Sequence, residues 1–493
     1  MSKQHFNSTR WLMLAATAAT LLLAVALATG WQVGVSGEWV WRNNTLRTVL
    51  WPALVVGILL VVMTGVAGKP GRWTRLQPAS RAIMLALFVL LVLALQWTLL
   101  TAVASPSLSW VAPGWIIASP NATTYFSASF EVRDARRWLA SYPELMSSLP
   151  YHARTHPPGF MLFFLLVRRF TAAAIPRPPA LLAAIAEGYN QTFGTLFSPA
   201  DAAAAIIGAA AVALLGALSL LPLYALGRTL VGAKEAILGV ALMSGMPGLL
   251  LLAASPDQII LLLAVLVLWL CYSAWRRNSP LHAFLAGVAA GVGLFFSLGF
   301  AVVGIWLLLW ALLGLLGSGD RRMAARRALG AGVIALAGFA LFHLVLYLAC
   351  GYRPIAVAQQ AFLAHRDITT SAFPRTYWKW LLMNPLEIAI FAGLPLVLTA
   401  LWSARSLHAH PTFFRLRPFL IAWLLTLALL DLSGTVRGEV GRIWLFLLWP
   451  APLAAAAWLA LSRQRRWILV MLVLLQLAQA LVMRTHITIY SIL

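Results

Sequence analysis

Acidic side chains are scarce in this sequence: 13 Asp and Glu stand against 36 Lys and Arg in 493 residues. Only 10% of the chain is charged and 62% is hydrophobic, which excludes a water-soluble globule, whose surface needs mixed charge on about a quarter of its residues. Cysteine is nearly absent. The two that occur, Cys271 and Cys350, fall near opposite ends of two different apolar runs, so they cannot pair and no disulfide framework is expected. No fixed-period repeat and no low-complexity tract is visible, which excludes a solenoid. Soluble domains are missing too, so the excess positive charge has no stripe on which a duplex could dock, and nucleic acid is not an expected partner.

What is present is a series of apolar runs of about twenty residues, the length that crosses a bilayer, in a chain of mean hydropathy +0.87. The expected fold is all-α: a polytopic integral membrane protein of about 13 transmembrane helices plus outer juxtamembrane helices. The expected crossings are 11–34, 48–68, 82–104, 201–227, 235–254, 258–275, 281–297, 300–317, 327–350, 383–402, 416–433, 443–461 and 467–485. The first is read as an uncleaved helix following a basic start, MSKQHFNSTR. The basic connectors KPGRWTRLQPASR, RTLVGAK, RRNSPLH, DRRMAARR, SARSLHAHPTFFRLR and SRQRRW then lie in the cytoplasm, with the N-terminus, and membrane lipids are expected partners. Parity makes 157–176 a partial or juxtamembrane helix rather than a full crossing. Three regions follow: an N-terminal pair of spans (1–81), a core (82–320) that includes the outer loop 105–200, and C-terminal spans (321–493) with outer loops 351–382 and 431–442.

Insertion does not require carboxylates, so where they fall is informative. Glu235 and Asp320 lie on the basic side, and the other eleven lie at or near the opposite boundary. Seven of them gather in four outer segments: EVRDARRWLASYPELMSSLPYHARTHPPG (131–159), ASPDQ (254–258), QQAFLAHRDITTSAFPRTYWKW (359–380) and LDLSGTVRGEVGRIW (430–444). Within the first, Arg133 to Ser147 reads as a short amphipathic helix along the membrane surface.

A long outer loop ending in His156-Pro157-Pro158, then a span closed by GRTLVGAK, then a span ending outside in Ser255-Pro256-Asp257, resembles the GT-C superfamily of membrane glycosyltransferases. Within it the arrangement is most similar to the protein mannosyltransferase and aminoarabinose-transferase branch, over roughly 82–320. The resemblance implies transfer of a sugar from a polyprenyl-phosphate-linked donor to an envelope glycan, lipid or protein acceptor, at the outer face of a bacterial plasma membrane. No cofactor is expected, and a divalent metal stays open. Members of that branch usually carry an Asp-Glu pair just after the first core span. Here nothing acidic lies between Ser105 and Phe130, which leaves the choice of catalytic carboxylate open.

The residues suit such chemistry. An acceptor hydroxyl needs a base, for which Asp134 or Glu131 is the candidate. A departing lipid phosphate needs cationic donors, offered by Arg154, Arg437 and Arg442 with His152 and His156, and Asp257 and Glu439 complete the candidate substrate-binding set. Tyr125, Tyr151, Tyr377 and Trp380 can stack on sugar or hold the interface.

Each feature also has a plain structural reading. The prolines of HPPG start helices unaided. Asp134 and Glu131 can pair with Arg133, Arg136 or Arg137, Asp257 can be a solvated cap, and RGEVGR can be an interfacial salt-bridge set. His152 and His156 are spaced as helical metal ligands, but Pro150 and Pro157 oppose a helix there. Glu38, in GEWVWR, reads as an interfacial residue beside tryptophans and is kept as a reserve carboxylate. The alternative from another class is a transporter or flippase for a lipid-linked or anionic substrate, which asks for polar groups near the bilayer midplane. His343 is the main such residue in the expected spans.

Overall fold

A computed structural model describes residues 3–45, 47–69, 72–102, 109–150, 152–367, 375–409, 413–461 and 465–490. Among these residues eight helices are long and apolar enough to cross a membrane: Thr9–Ala28, Pro78–Leu100, Pro199–Leu230, Asp257–Arg277, Leu298–Leu316, Arg321–Cys350, Leu416–Ser433 and Arg465–His486. A ninth is reached if Tyr377–Ala392 and Leu394–Ala404, bent by 105° at Gly393, count as one span. Trp51–Ala67, Pro280–Phe296 and Leu445–Leu461 are apolar but shorter. The expected thirteen is therefore not reached by length and composition. The shortfall comes from these short helices and from 235–254, which breaks into Ala233–Ser244 and Pro247–Leu251 around Gly245, Met246 and Pro247. The helix after HPPG, Gly159–Ala174, falls in neither set, in keeping with a juxtamembrane role.

Local chemistry explains where many helices begin. Proline occupies the first turn of Trp51–Ala67, Pro78–Leu100, Pro199–Leu218 and Pro280–Phe296, where its missing N–H costs nothing. Ser198 and Asp201 form a reciprocal capping box on Pro199–Leu218. Asp201 also accepts from Arg168 Nε at 2.9 Å, which ties the short helix Gly159–Ala174 to the bundle. The stretch read as one amphipathic helix divides at Ser141 and Pro143 into Ala135–Ala140 and Tyr142–Leu145, followed by a 3-10 turn Met146–Ser148.

Close packing rests on small side chains, as expected where lipid removes the usual hydrophobic drive between helices. Ala202, Ala205, Ala209, Ala213 and Ala217 run down the buried side of Pro199–Leu218. Gly287 and Gly338 let Pro280–Phe296 and Arg321–Cys350 touch backbone to backbone, since a Cβ at either would strike a carbonyl of the other helix. Breaks inside the bundle need polar partners because no water is at hand. Gln96 Nε2 and Gln258 Nε2 both reach Leu249 O, at 2.8 and 3.0 Å. Gln479 closes the Gly393 bend, donating to Ile390 O at 2.7 Å and accepting from Leu394 N at 2.9 Å.

The two ends of the bundle are separately knitted. At one, basic connectors meet: Trp73 Nε1 donates to Tyr224 Oη, Lys234 Nζ to Ala460 O and Arg466 Nε to Gly65 O. At the other, an addition to the all-α expectation appears, a two-residue antiparallel pairing of Gly34–Val35 with Trp39–Val40. There the N-terminal segment also joins the C-terminal one through Asn44, which donates to Arg484 O and Thr485 O, and through a bridge between Asn43 and Ile487.

Candidate active site

The His-Pro-Pro segment lies at this second end. Pro157 confines the preceding residue to extended backbone, and His156 is found at φ −122°, ψ 150°. Its ring turns back so that Nδ1 lies 2.9 Å from His152 O. A carbonyl only accepts, so Nδ1 carries the proton and the lone pair of the neutral ring sits on Nε2. Burial lowers the pKa of His156, which keeps it neutral, and burial together with Arg442 lowers that of His152 to about 4. Gly159 is required three residues after His156, because a Cβ there would strike the backbone of Phe295 and Phe296. Tyr125 packs against His156 with ring centroids 5.5 Å apart and is itself buried.

Ser-Pro-Asp opens the span Asp257–Arg277. Ser255 Oγ donates to Asp257 Oδ2, and Asp257 is half-buried. The hydroxyl of Tyr490 accepts from Ala254 N at 3.0 Å and so closes over this turn.

The third contribution is the 434–442 loop. Arg442 donates to Glu439 Oε2 at 2.7 Å, and Arg375 reaches Glu439 Oε1 at 3.5 Å. Burial opposes both charges, yet each is retained. Arg442 and Arg375 pull the pKa of Glu439 below the usual carboxylate range, while Glu439, Asp257, Tyr125 and Tyr490 hold that of Arg442 up. Arg442 thus feels both carboxylates. Its Nε is buried with no partner among the described residues, a donor left over for a ligand.

His152, His156, Asp257, Glu439 and Arg442, expected from separate loops, are therefore linked by hydrogen bonds or by mutual electrostatics. The others are placed differently. Arg437 donates to Gly434 O and Arg375 O, so its guanidinium is already engaged. Arg154 is half-buried in the 3-10 turn Ala153–Thr155. Asp134 caps Ala135–Ala140, accepting from Arg136 N and Arg137 N and pairing with Arg137, with its side chain 56% exposed. Glu131 is exposed in the preceding 3-10 turn. Trp380 is fully buried, with Nε1 held by Glu38 at 2.8 Å, while Tyr377 is exposed and donates to Leu432 O; Tyr151 lies outside the described residues.

Sequence reasoning passed over Asn384, Glu387 and Tyr490. Asn384 and Glu387 sit in an apolar run and Tyr490 lies past the last expected crossing, so only their being polar in such surroundings marked them. Glu38 proves more than interfacial. It accepts from Thr376 N, Lys379 Nζ and Trp380 Nε1, and these bonds outweigh burial to bring its pKa down to about 2. Among the described residues no three His, Cys, Asp or Glu side chains come together as a metal site.

Residues 188–344 match the family model described as dolichyl-phosphate-mannose-protein mannosyltransferase. The match bears out the resemblance to GT-C membrane glycosyltransferases and, with the apolar helices, indicates a membrane glycosyltransferase. It spans less than half of the chain and includes Asp257 but not His152, His156 or the 434–442 loop. No individual curated protein matches the chain.

Proposed function

We propose that the chain transfers a sugar from a polyprenyl-phosphate-linked donor to an acceptor hydroxyl at the non-cytoplasmic face. One observation supports the reading: Arg442, paired with Glu439 and under the charge of the half-buried Asp257, keeps a buried Nε without a partner among the described residues, at the end of the bundle opposite the basic connectors. The positive-inside rule puts those connectors in the cytoplasm and the site outside.

In this reading the acceptor oxygen attacks the anomeric carbon as the bond from that carbon to the phosphate oxygen breaks. Asp257 takes the acceptor proton, and Arg442 holds the charge that develops on the departing phosphate. A single displacement of this kind inverts the anomeric centre and needs no protein nucleophile. His156, with its lone pair on Nε2, accepts a hydrogen bond from a sugar or acceptor hydroxyl. Asp257 is preferred to Asp134 and Glu131 because these two are exposed and Asp134 is engaged as a helix cap.

An apolar groove of 240 Å³ between Trp51–Ala67, Pro78–Leu100 and Arg465–His486 suits the donor's isoprenoid chain. It shares Leu99 with a 60 Å³ cavity bordered by Arg484 and Tyr490. The test is transfer from a radiolabelled panel of polyprenyl-phosphate sugars by purified protein in lipid, comparing wild type with Asp257→Asn, Asp134→Asn, Glu131→Gln and His156→Ala. Loss confined to Asp257→Asn, with folding intact, supports the assignment of the base. Loss with Asp134→Asn or Glu131→Gln alone moves the base to that residue.

A second reading, as a transporter or flippase, draws support from two helix breaks inside the bundle. Gly245 and Gly393 both face Gln476, a fully buried side chain whose amide atoms have no partner among the described residues. Flux of a lipid-linked sugar in sealed vesicles without transfer by any donor would favour it.

A further inference from the structure

The loop that carries Arg442 is strained and held from outside itself. Glu439 adopts φ +59°, the left-handed region that non-glycine residues rarely enter, and Gly438 before it has φ +84°. Such a conformation persists only where its neighbours over-determine it. The grip comes from one face of Tyr377–Ala392, on which residues three apart lie side by side. Asn384 accepts from Gly438 N at 3.0 Å and donates to Val436 O at 3.1 Å, while Glu387 Oε1 accepts from Gly441 N at 3.0 Å. The strained residue is thus bracketed by two captured amides. Gly441 has to be glycine for this approach, since a Cβ would run into the ring of Phe391.

Glu387 is fully buried and has one further bond. Its Oε1 accepts from Trp41 Nε1 at 3.0 Å, and Trp41 packs on Phe391 with centroids 4.9 Å apart. The N-terminal hairpin is fastened to the same helix a second time, through Glu38 to Thr376, Lys379 and Trp380. A continuous set of bonds therefore runs from the hairpin through the helix to the amide that precedes Arg442.

We propose that Glu387, braced by Trp41, is a positioning residue that holds the 438–442 turn so that Arg442, paired with Glu439, stays within reach of the charge of Asp257. The role assigned to Arg442 rests on the function proposed above, but the hold itself can be read without any activity. Hydrogen exchange measured on the full-length protein in lipid tests it first. In Glu387→Leu, exchange of the 438–442 amides rises by about tenfold relative to wild type while distant spans keep their protection. Glu387→Gln retains an oxygen for Gly441 and Trp41 and stays near wild type.

Transfer kinetics follow with the same proteins. Glu387→Leu lowers kcat/KM for the polyprenyl-phosphate sugar about tenfold, and the loss shrinks to about twofold in an Arg442→Lys background, because the two residues act as a unit. A lower fraction of folded protein would cut both backgrounds equally. Unchanged exchange in Glu387→Leu overturns the hold, and raised exchange with unchanged or equal kinetic losses overturns its role in the reaction. Absence of transfer by wild type with every donor, alongside raised exchange in the variant, overturns the proposed function instead and leaves the hold standing.

Discussion

At one end of the bundle Arg276, Arg277, Arg321, Arg322, Arg326 and Arg327 stand exposed. At the other, Arg168, Arg375 and Arg442 keep only 18%, 18% and 20% of their side chains exposed, and each meets a carboxylate. The first arrangement needs nothing from the fold: a cation that sets topology works from water or the headgroup layer. The second costs desolvation and survives only with partners placed around it. Charge of the same sign is therefore left to the surroundings at one end and, at these three positions, built into ion pairs at the other.

The comparison breaks most sharply at Asp257. Asp257→Asn should lower transfer about a thousandfold without altering assembly in the membrane, read as initial rates on monodisperse protein. A milder test is Arg442→Lys, which keeps the charge but loses the fork that holds Glu439 and, in the proposed function, the phosphate. It should cost about a hundredfold in kcat, with far less change in the acceptor KM.

Glu38→Gln belongs to the same end but not to the reacting groups. It should cost stability of about 2 kcal/mol, seen as a lower melting temperature, because a carboxylate serving three donors becomes neutral. The pH dependence has the matching sign. Glu38 titrates at about 2 in the folded chain against 4.5 unperturbed, so its contribution is present above 4.5 and is lost as pH falls towards 2. His152, lowered from 6.5 to about 4, adds an earlier loss as pH falls from 6.5 towards 4. Melting temperature should therefore decline in two acid steps, with the lower step smaller in Glu38→Gln, since the lowered Glu439 still contributes to it. The smallest effect is expected at the basic end: Asp320→Ala removes the cap that accepts from Met323 N, should cost about 1 kcal/mol, and should leave transfer unchanged.

Much of this division was legible in the sequence. Apolar length and basic connectors located most of the helices, and the sorting of carboxylates away from the connectors pointed to the end that holds Asp257 and Arg442. HPPG and Ser-Pro-Asp were visible because proline leaves a local signature whatever lies around it. Two things were hidden. One was the breaks at Gly245 and Gly393, since a hydropathy window counts side chains and does not see that Gln96, Gln258 and Gln479 serve the backbone there. The other was the bracing at Asn384 and Glu387, whose partners lie far along the chain: Glu387 and Trp41 are 346 residues apart. Asp134 shows the converse. Its acidic character and outer position were plain, but the same letters describe a helix cap, and only the amides of Arg136 and Arg137 tell the two apart.

The bond from Ala254 N to Tyr490 Oη spans 236 residues and joins the Ser-Pro-Asp turn to the segment beyond the span Arg465–His486. During synthesis the Ser-Pro-Asp turn is made long before Tyr490, so the contact between them forms only once the helix Arg465–His486 and the segment after it have been made. The turn that carries Asp257 is therefore completed by the end of the chain rather than by its neighbours in sequence.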